Sequence, residues 1–423
     1  MSKIAVIGTG YVGLTTGACF AHLGHDVVCA DIDEAKVAML NAGQIPILEP
    51  GLDEIVAEAV DAGKLRFVLG AASAATDCEF AYLCVPTPQG DDGRADLSYV
   101  EDAAREIAPN LPSEAIVVNK STVPVGSTHV VERAMGRPDV SVVSNPEFLR
   151  EGSAVHDFMH PDRIVIGTED RSAAMRVSSL FLGVTAPLIV TDPASAETIK
   201  YAANSFLATK ISFVNAIAAV CEAVGADVND VVLGMGSDPR IGDRFLQPGP
   251  GWGGSCFPKD TRALVRIAED AGYQFNLLRG VIDVNDEQFE RIADKVEAQV
   301  GGDLSGVTIA VLGLTFKANT DDLRDSPALE VAARLQQRGA NLRAFDPAVH
   351  APVNDISVYD SAYTAAEGAA TVVILTEWDE FRWLDWEKMA QQVTRPRLVD
   401  ARNLLDPATM RRRGFEYEGL GRS

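Results

Sequence analysis

Positive charge is scarce in this chain. Its 37 Lys and Arg face 60 Asp and Glu, leaving a formal net charge of −23 over 423 residues. A field of that sign argues against nucleic acid or an anionic membrane surface as a main partner. Any anionic ligand must be held by local Lys and Arg against the overall field. Cysteine is also sparse: the six residues Cys19, Cys29, Cys78, Cys84, Cys221 and Cys256 form no CxxC pair and have no His at metal-ligand spacing. That excludes a disulfide framework, gives no metal site, and fits a reducing compartment. No signal-like segment precedes the first apolar run, and no uninterrupted apolar run reaches the roughly 18 residues of a membrane span. A cytoplasmic protein without a membrane or nucleic-acid partner is expected.

Composition is that of a globular protein, 47% hydrophobic and 23% charged. The length exceeds what one core supports, so two or three domains are expected. Lys3–Ile7 is a short β-branched run that leads into Gly8-Thr9-Gly10-Tyr11-Val12-Gly13. A helical pattern runs to His22, Gly24 ends it, and a second strand, Asp26 to Ala30, closes on Asp31. In that strand–turn–helix–strand–acid context GxGxxG is a strong signal for a dinucleotide. Asp31 would accept hydrogen bonds from a ribose and repel a 2′-phosphate, which favours NAD over NADP. Later strands, Phe80 to Val85 and Ala115 to Asn119, run into the loops Pro86–Gln89 and Lys120–Gly126, which should border the cofactor. There the hydroxyls of Ser121 and Thr122 are the better candidates. Two or three further strands follow before Thr191, among them Ser141–Ser144 and Ile164–Gly167. Between those two, Glu147 and Glu151 would share a face if the segment were one helical turn.

From Ala194 to Val224 the pattern is one long helix, apolar nearly all round and therefore expected to be buried. Lys200 and Asn204 lie four apart on it, which points to a site. A second amphipathic helix runs from Val281 to Val300. From Thr308 the first domain is echoed: Thr308–Gly313 parallels Lys3–Gly8, and Gly339–Asp346 parallels Gly24–Asp31. The echo lacks the glycine fingerprint, and Lys317 and Arg324 stand where the glycines would be. The fold class is α/β, with two Rossmann-like, doubly wound parallel-sheet domains joined by a long central helix. The expected division is 1–193, 194–300 and 301–423.

Between the two folds in sequence lies Gly249-Pro250-Gly251-Trp252-Gly253-Gly254-Ser255-Cys256-Phe257-Pro258-Lys259-Asp260. A lone cysteine is more often a small buried hydrophobe. Here a glycine loop precedes Cys256, and a helix N-terminus and Lys259 follow, which favours a thiolate. The glycines would let a ligand lie against backbone. A thiolate is of no use to a plain alcohol dehydrogenase. It is useful where an aldehyde must be oxidised again, through a thiohemiacetal and a thioester that water hydrolyses. The residues therefore point to a four-electron oxidation of CH₂OH to carboxylate with two NAD⁺.

Several stretches carry a family resemblance from end to end: GTGYVG (8–13), PILEPGL (46–52), STVPVG (121–126), NPEFLREGSAVHDFMHPDRIVIG (145–167), KYAANSFLATK (200–210), GPGWGGSCFPKD (249–260) and GLTFKANTDDLRDSP (313–327). With these the chain resembles the UDP-glucose/GDP-mannose dehydrogenase family. The 145–167 stretch favours the UDP-glucose branch over relatives acting on GDP-mannose or UDP-N-acetylmannosamine, the alternative substrates. The resemblance implies NAD-dependent conversion of UDP-glucose to UDP-glucuronate, and the apolar central helix is expected to join two copies in a homodimer. The resemblance also implies Cys256 as nucleophile, Lys200 at the developing oxyanion, Asp260 at the water, Thr122 and Glu147 in proton transfer, and Asn204 orienting the sugar. Cofactor contacts would be Gly8, Gly10, Tyr11, Val12, Gly13, Asp31, Lys36, Thr87, Ser121, Thr122, Glu151 and Arg324. The sugar nucleotide would meet Glu147, Phe148, Leu149, Arg150, Lys200 and Asn204, then Arg240, Phe245, Leu246, Gln247, Pro248, Gly249 and Gly253. Phe316, Lys317 and Arg402 complete that set, Arg402 coming from a neighbouring subunit or from the far side of the cleft. Where family members carry Tyr, an acid and Phe, this chain has Leu48, Ala216 and Trp252. Trp252 bears on fine substrate selectivity. A non-catalytic sensor of the same ligands would be expected to have lost the thiol or Lys200, and both are present.

Overall fold

The computed structural model describes residues 1–90 and 95–422. The chain divides into two compact units, Met1–Ala203 with Arg262–Ala271, and Asn204–Thr261 with Gly272–Ser423. Each is built on a parallel sheet.

In the first unit the strands are β1 (Lys3–Ile7), β2 (Asp26–Asp31), β3 (Leu65–Leu69), β4 (Phe80–Leu83), β5 (Ile116–Asn119), β6 (Ser141–Ser144), β7 (Ile164–Gly167) and β8 (Leu188–Thr191). Their order in the sheet is β3-β2-β1-β4-β5-β6-β7-β8. All pairs are parallel except β6 with β7. A sheet covered on both faces needs strands that are apolar at every position, and β4 and β5 are buried throughout. Alternation then sends Ile4, Val6, Tyr82 and Val118 to one core and Ala5, Ile7, Leu83 and Val117 to the other. Chain order reverses between β1 and β4, so the loops after these strands open at the switch point where such sheets take their ligand. Strand β3 escaped the sequence reading.

The second unit holds β9 (Thr308–Leu312), β10 (Asn341–Phe345), β11 (Ser357–Val358), β12 (Thr371–Ile374), β13 (Arg397–Asp400) and β14 (Glu416–Glu418), in the order β11-β10-β9-β12-β13-β14 and parallel throughout. The duplication reaches individual hydrogen bonds. Gly8 N–H donates to Ala30 O (2.7 Å), and Gly313 N–H to Phe345 O (2.9 Å). Asp31 Oδ2 accepts the amide and hydroxyl of Thr9, and Asp346 Oδ2 accepts those of Thr315. The copies differ in access. Asp346 also receives the Leu314 amide and the Trp378 indole N–H and is 1% exposed. A ribose could reach it only by displacing the indole.

The long helix spans Pro193–Val224. It is not buried all round: Phe206, Phe213, Val220 and Val224 are exposed. Among the described residues it is the one helix long and apolar enough to cross a membrane, although only 33% of its most apolar window is buried. The sequence reading counted uninterrupted apolar runs, and Ser, Thr and Asn interrupt this one. Several of those polar side chains bond to the second unit's own loops. The other long helix, Asn276–Val300, starts five residues before its expected start; Phe275 at its cap offers no side-chain bond that would have marked the boundary.

Candidate functional site

The glycine turn of the first unit is shaped for a pyrophosphate. A Cβ on Gly13 would lie 1.9 Å from the Gly8 carbonyl, so only glycine lets the turn close, whereas the space at Gly10 is open. Gly10 caps the helix Tyr11–His22 without any side-chain bond. Among the described residues no side chain caps the N–H groups at its start, which suits an anion. Asp31 stands at the end of β2, its Oδ1 accepting the Asp33 amide (3.1 Å) and its Oδ2 lying 3.4 Å from Lys36 Nζ. Burial pushes its carboxyl up, but the Thr9 and Asp33 donors and Lys36 outweigh this and hold it below the usual value. An ionised acid here suits ribose hydroxyls. These residues fit a dinucleotide.

The loops after β4 and β5 are bound to each other. Thr87 Oγ1 donates to Thr122 O (2.8 Å), and Ser121 Oγ to Val85 O (2.7 Å). Glu197, in the first turns of the long helix, accepts the Gly126 amide (2.6 Å) and the Thr128 amide and hydroxyl (2.9 Å each). It ties the Ser121–Gly126 loop to the helix that carries Lys200.

Three residues after Glu197, Lys200 Nζ donates to Glu147 Oε1 at 2.7 Å, both side chains buried. Glu147 and Glu151 are not on a helical turn: residues 145–150 are irregular, followed by a turn. Carboxylates take the amides that a helix would use. Glu147 accepts the Leu149 amide (2.6 Å), Asp157 the Arg150 amide (3.0 Å), and Glu49 the amides of Gly152 and Ala154 (2.7 Å each). Glu49 also accepts the Tyr11 hydroxyl, linking the PILEPGL stretch to the glycine turn. Arg150 forks onto Asp157, and Phe148 lies under Arg163 at 3.6 Å with Lys200 Nζ 5.4 Å from its ring.

In the second unit the helix Phe257–Asp270 begins directly after Cys256, so Pro258 is its second residue rather than its first. The Cys256 carbonyl accepts the Asp260 amide (2.9 Å), the first bond of the helix, and the thiol side chain is half-buried. Asp260 is wholly buried and held at both oxygens. Lys259 Nζ donates to Oδ1 (2.7 Å) and Asn204 Nδ2 to Oδ2 (2.6 Å). This fixed carboxylate stands one helical turn beyond Cys256.

The glycine loop packs against protein. A Cβ on Gly253 would lie 1.9 Å from the Asp325 carbonyl, and one on Gly254 would meet the Phe316 ring at 2.8 Å. The atoms that crowd these two positions belong to the unit itself, which by itself requires glycine there. A buried polar network holds the loop. Asn285 accepts the Trp252 amide (2.8 Å) and donates to its carbonyl (3.0 Å). Trp252 Nε1 donates to Ser212 Oγ (2.9 Å), which donates to Val281 O. Asn215 accepts the Gly249 amide and Gln288 donates to the Gly249 carbonyl. Earlier in the loop Phe245 has a φ of +62°, Leu246 and Pro248 are buried, and Gln247 is exposed.

Arg402 lies beside this loop within its own chain: a Cβ on Gly249 would be 3.1 Å from its Nη1, and its guanidinium donates to Leu375 O and Phe316 O and pairs with Glu377. Lys317 Nζ is 5.4 Å from the Phe316 ring. Arg240 and Arg324 are exposed, each forked onto an aspartate two residues back, Asp238 and Asp322. The sequence reading passed over Lys120, Glu49, Asn285 and Gln288. For Asn285 and Gln288 a signal exists: they are polar positions three apart on the apolar stripe of the helix Asn276–Val300.

A fold and a turn of this kind define an NAD-dependent dehydrogenase. Models of the UDP-glucose/GDP-mannose dehydrogenase family match three successive stretches: its NAD binding domain at residues 2–185, its central domain at 194–287 and its UDP binding domain at 310–407. The chain belongs to that family, and NAD is its cofactor. A UDP-glucose 6-dehydrogenase of Rhizobium meliloti is 49% identical, with 99% of each chain covered. TuaD, a UDP-glucose 6-dehydrogenase of Bacillus subtilis, is 47% identical over 100% of this chain and 94% of its own. Among solved structures, a UDP-glucose dehydrogenase from Pyrobaculum islandicum superposes with a TM-score of 0.92 at 38% identity, covering 100% of this chain and 98% of that one.

Proposed function

We propose that this chain oxidises the C6 alcohol of UDP-glucose to the carboxylate of UDP-glucuronate, covalently through Cys256. The observation that carries the reading is Asp260, buried, held by Asn204 and Lys259, and one turn beyond the thiol. A two-electron alcohol dehydrogenase has no need of a thiol paired with a fixed carboxylate. Thioester hydrolysis needs both.

Bound NAD supplies the hydride acceptor, twice per sugar. The chain does the rest. Thr122 and Glu147 take up the proton of the C6 hydroxyl. Lys200, an ammonium group held by Glu147, stabilises negative charge on the C6 oxygen. The Cys256 thiolate adds to the aldehyde carbon, forming a C–S bond and an oxyanion. After the second oxidation the thioester is attacked by water that Asp260 holds, and the C–S bond breaks to restore the thiolate. Net, one alcohol and one water give one carboxylate, two hydrides and three protons. Asn204 orients the sugar, and the Phe245–Gly253 loop with Phe316, Lys317, Arg402 and Arg240 holds the UDP portion. Glycines 8, 10 and 13 with Tyr11, Val12, Asp31, Lys36, Thr87, Ser121, Thr122, Glu151 and Arg324 contact the dinucleotide.

The domains are proposed to divide at 1–193, 194–300 and 301–423, in a soluble cytoplasmic enzyme. The exposed residues Phe206, Phe213, Val220 and Val224 recur at intervals of seven, seven and four along the long helix, a stripe suited to a second copy of the same helix. A homodimer through this helix follows.

Turnover with UDP-glucose, GDP-mannose and UDP-N-acetylmannosamine tests the substrate. UDP-glucose is expected to be preferred; no NADH from it contradicts the reading. Cys256→Ser is expected to bind substrate but accumulate a species at the aldehyde or covalent level. Acid release at the wild-type rate from that variant would rule out covalent catalysis.

A further inference from the structure

Asp325, two residues before the helix Pro327–Gln337, has a φ of +45°, in the left-handed region that is costly for any residue with a Cβ. Its side chain is exposed, and none of the roles above uses it. Its carbonyl lies on the loop before Cys256. It accepts the Gly254 amide at 3.2 Å, and a Cβ on Gly253 would lie 1.9 Å from the same oxygen. The chain on either side is fixed. The Arg324 amide donates to Asp322 Oδ1 (2.9 Å), the Ser326 amide to Leu323 O (3.3 Å), and the buried Ser326 Oγ to Leu314 O (2.7 Å). All of these residues belong to the second unit.

Left-handed backbone at a non-glycine residue persists only where its surroundings enforce it, and such residues gather where a geometry is used. Gly254 stands two residues before Cys256 and has a φ of +78°. Upstream, Asn285 holds both the amide and the carbonyl of Trp252. Downstream, the Asp260 amide bonds to the Cys256 carbonyl and the helix begins. The Asp325 carbonyl holds the stretch between these two anchors. That carbonyl follows the N–Cα bond of its own residue, so a change of φ at position 325 swings it away from Gly254.

We propose that Asp325 is a positioning residue for the thiol: its left-handed backbone aims its carbonyl at the Gly254 N–H, and that bond sets where Cys256 stands relative to Asp260. The charge of the side chain plays no part. Asp serves because, with Asn, it tolerates the conformation better than other residues with a Cβ. The role runs through Gly254 and needs no contact with substrate or cofactor. The inference rests on the reading that Cys256 is the nucleophile.

The test compares Asp325→Asn, Asp325→Gly, Asp325→Ala and Asp325→Val in the full chain. It reads kcat with UDP-glucose and NAD, the rate of Cys256 alkylation by iodoacetamide, and Tm. Cys256 is half-buried and the other five cysteines are buried, so alkylation of the folded enzyme reports this thiol, with Cys256→Ser as the blank. Asn and Gly accept a positive φ and are expected to keep kcat and alkylation within about twofold of the wild type. Ala and Val resist it, the β-branched Val more. At temperatures well below each Tm, kcat is expected to fall about tenfold in Val and less in Ala, with alkylation shifted in the same order. A Val variant with a lowered Tm but wild-type kcat and alkylation makes the contact merely structural and overturns the inference. If Val does not fold, the same comparison in Ala decides. An Asn variant as impaired as Val also overturns it, because the charge would then be what matters. Cys256→Ser in the same series separates the two readings. Wild-type turnover there overturns the reading of the site, whereas its loss beside an unimpaired Asp325→Val overturns Asp325 alone.

Discussion

Lys200 Nζ lies 2.7 Å from Glu147 Oε1, with side-chain exposures of 4% and 5%. A pair so withdrawn from water contributes little net stability, yet removing one member takes a close counter-charge from the other while it stays buried. Lys200→Ala is therefore expected to lower stability by about 3–5 kcal/mol and turnover by about a hundredfold or more. Glu147→Gln keeps a hydrogen-bond partner and should lose less stability. Denaturation midpoints and kcat measured on the same preparations check this, and a Lys200→Ala enzyme of wild-type stability would show that the pair is not formed.

The loop before Cys256 hangs on Asn285. Replacing it by Ala strands the buried amide and carbonyl of Trp252, at about 1–3 kcal/mol for each group. The variant should raise KM for UDP-glucose more than it lowers kcat. Trp252→Phe removes the indole N–H donated to Ser212, whose own bond to Val281 O survives, and also leaves a cavity where the larger ring was buried. Its cost should be about 2 kcal/mol. Steady-state kinetics of the two variants rank them; equal effects would mean that the network does not hold the loop.

Lys120 gives stability a pH signature. Its ammonium group titrates near 8 in the fold against 10.5 for the ordinary side chain. Between these values the unfolded chain carries a proton that the folded chain has lost, so this residue's contribution to stability rises with pH, by up to about 3 kcal/mol. Below 8 the penalty is fully present. Relative to Lys120→Gln, the wild type should thus be least stable near pH 7 and gain towards pH 9.5. A constant difference in Tm across that range contradicts the buried ammonium.

The exposed stripe on the long helix predicts an assembly. Phe213→Glu places a charge in its middle and should halve the mass seen by sedimentation, with the circular dichroism unchanged. A wild type that sediments as a monomer contradicts the homodimer.

Much of this was legible in the residues. Parallel strands buried on both faces read as unbroken β-branched runs, which is why Lys3–Ile7 and Thr308–Leu312 were found with their bounds. Glycine turns and the acids Asp31 and Asp346 placed the repeat. What failed depended on partners distant in sequence. Glu147 and Glu151 would share a face only on a helical turn, and nothing local shows that Glu147, Glu49 and Asp157 capture the amides instead. That Gly253 and Gly254 must be glycine against Asp325 and Phe316 is not visible locally, because those residues lie far along the chain. Lys120 was passed over for its neighbours Ser121 and Thr122, since burial of a lysine is a property of the packed fold. Arg402 came from resemblance, and its place against Gly249 of its own chain is visible only in three dimensions.

The central claim is that Cys256 exists because oxidation must not stop at the aldehyde. The yield of NADH per UDP-glucose consumed tests it most directly. Two NADH per sugar, with UDP-glucuronate as product, is the result expected; one NADH per sugar, with the aldehyde released, would contradict the account.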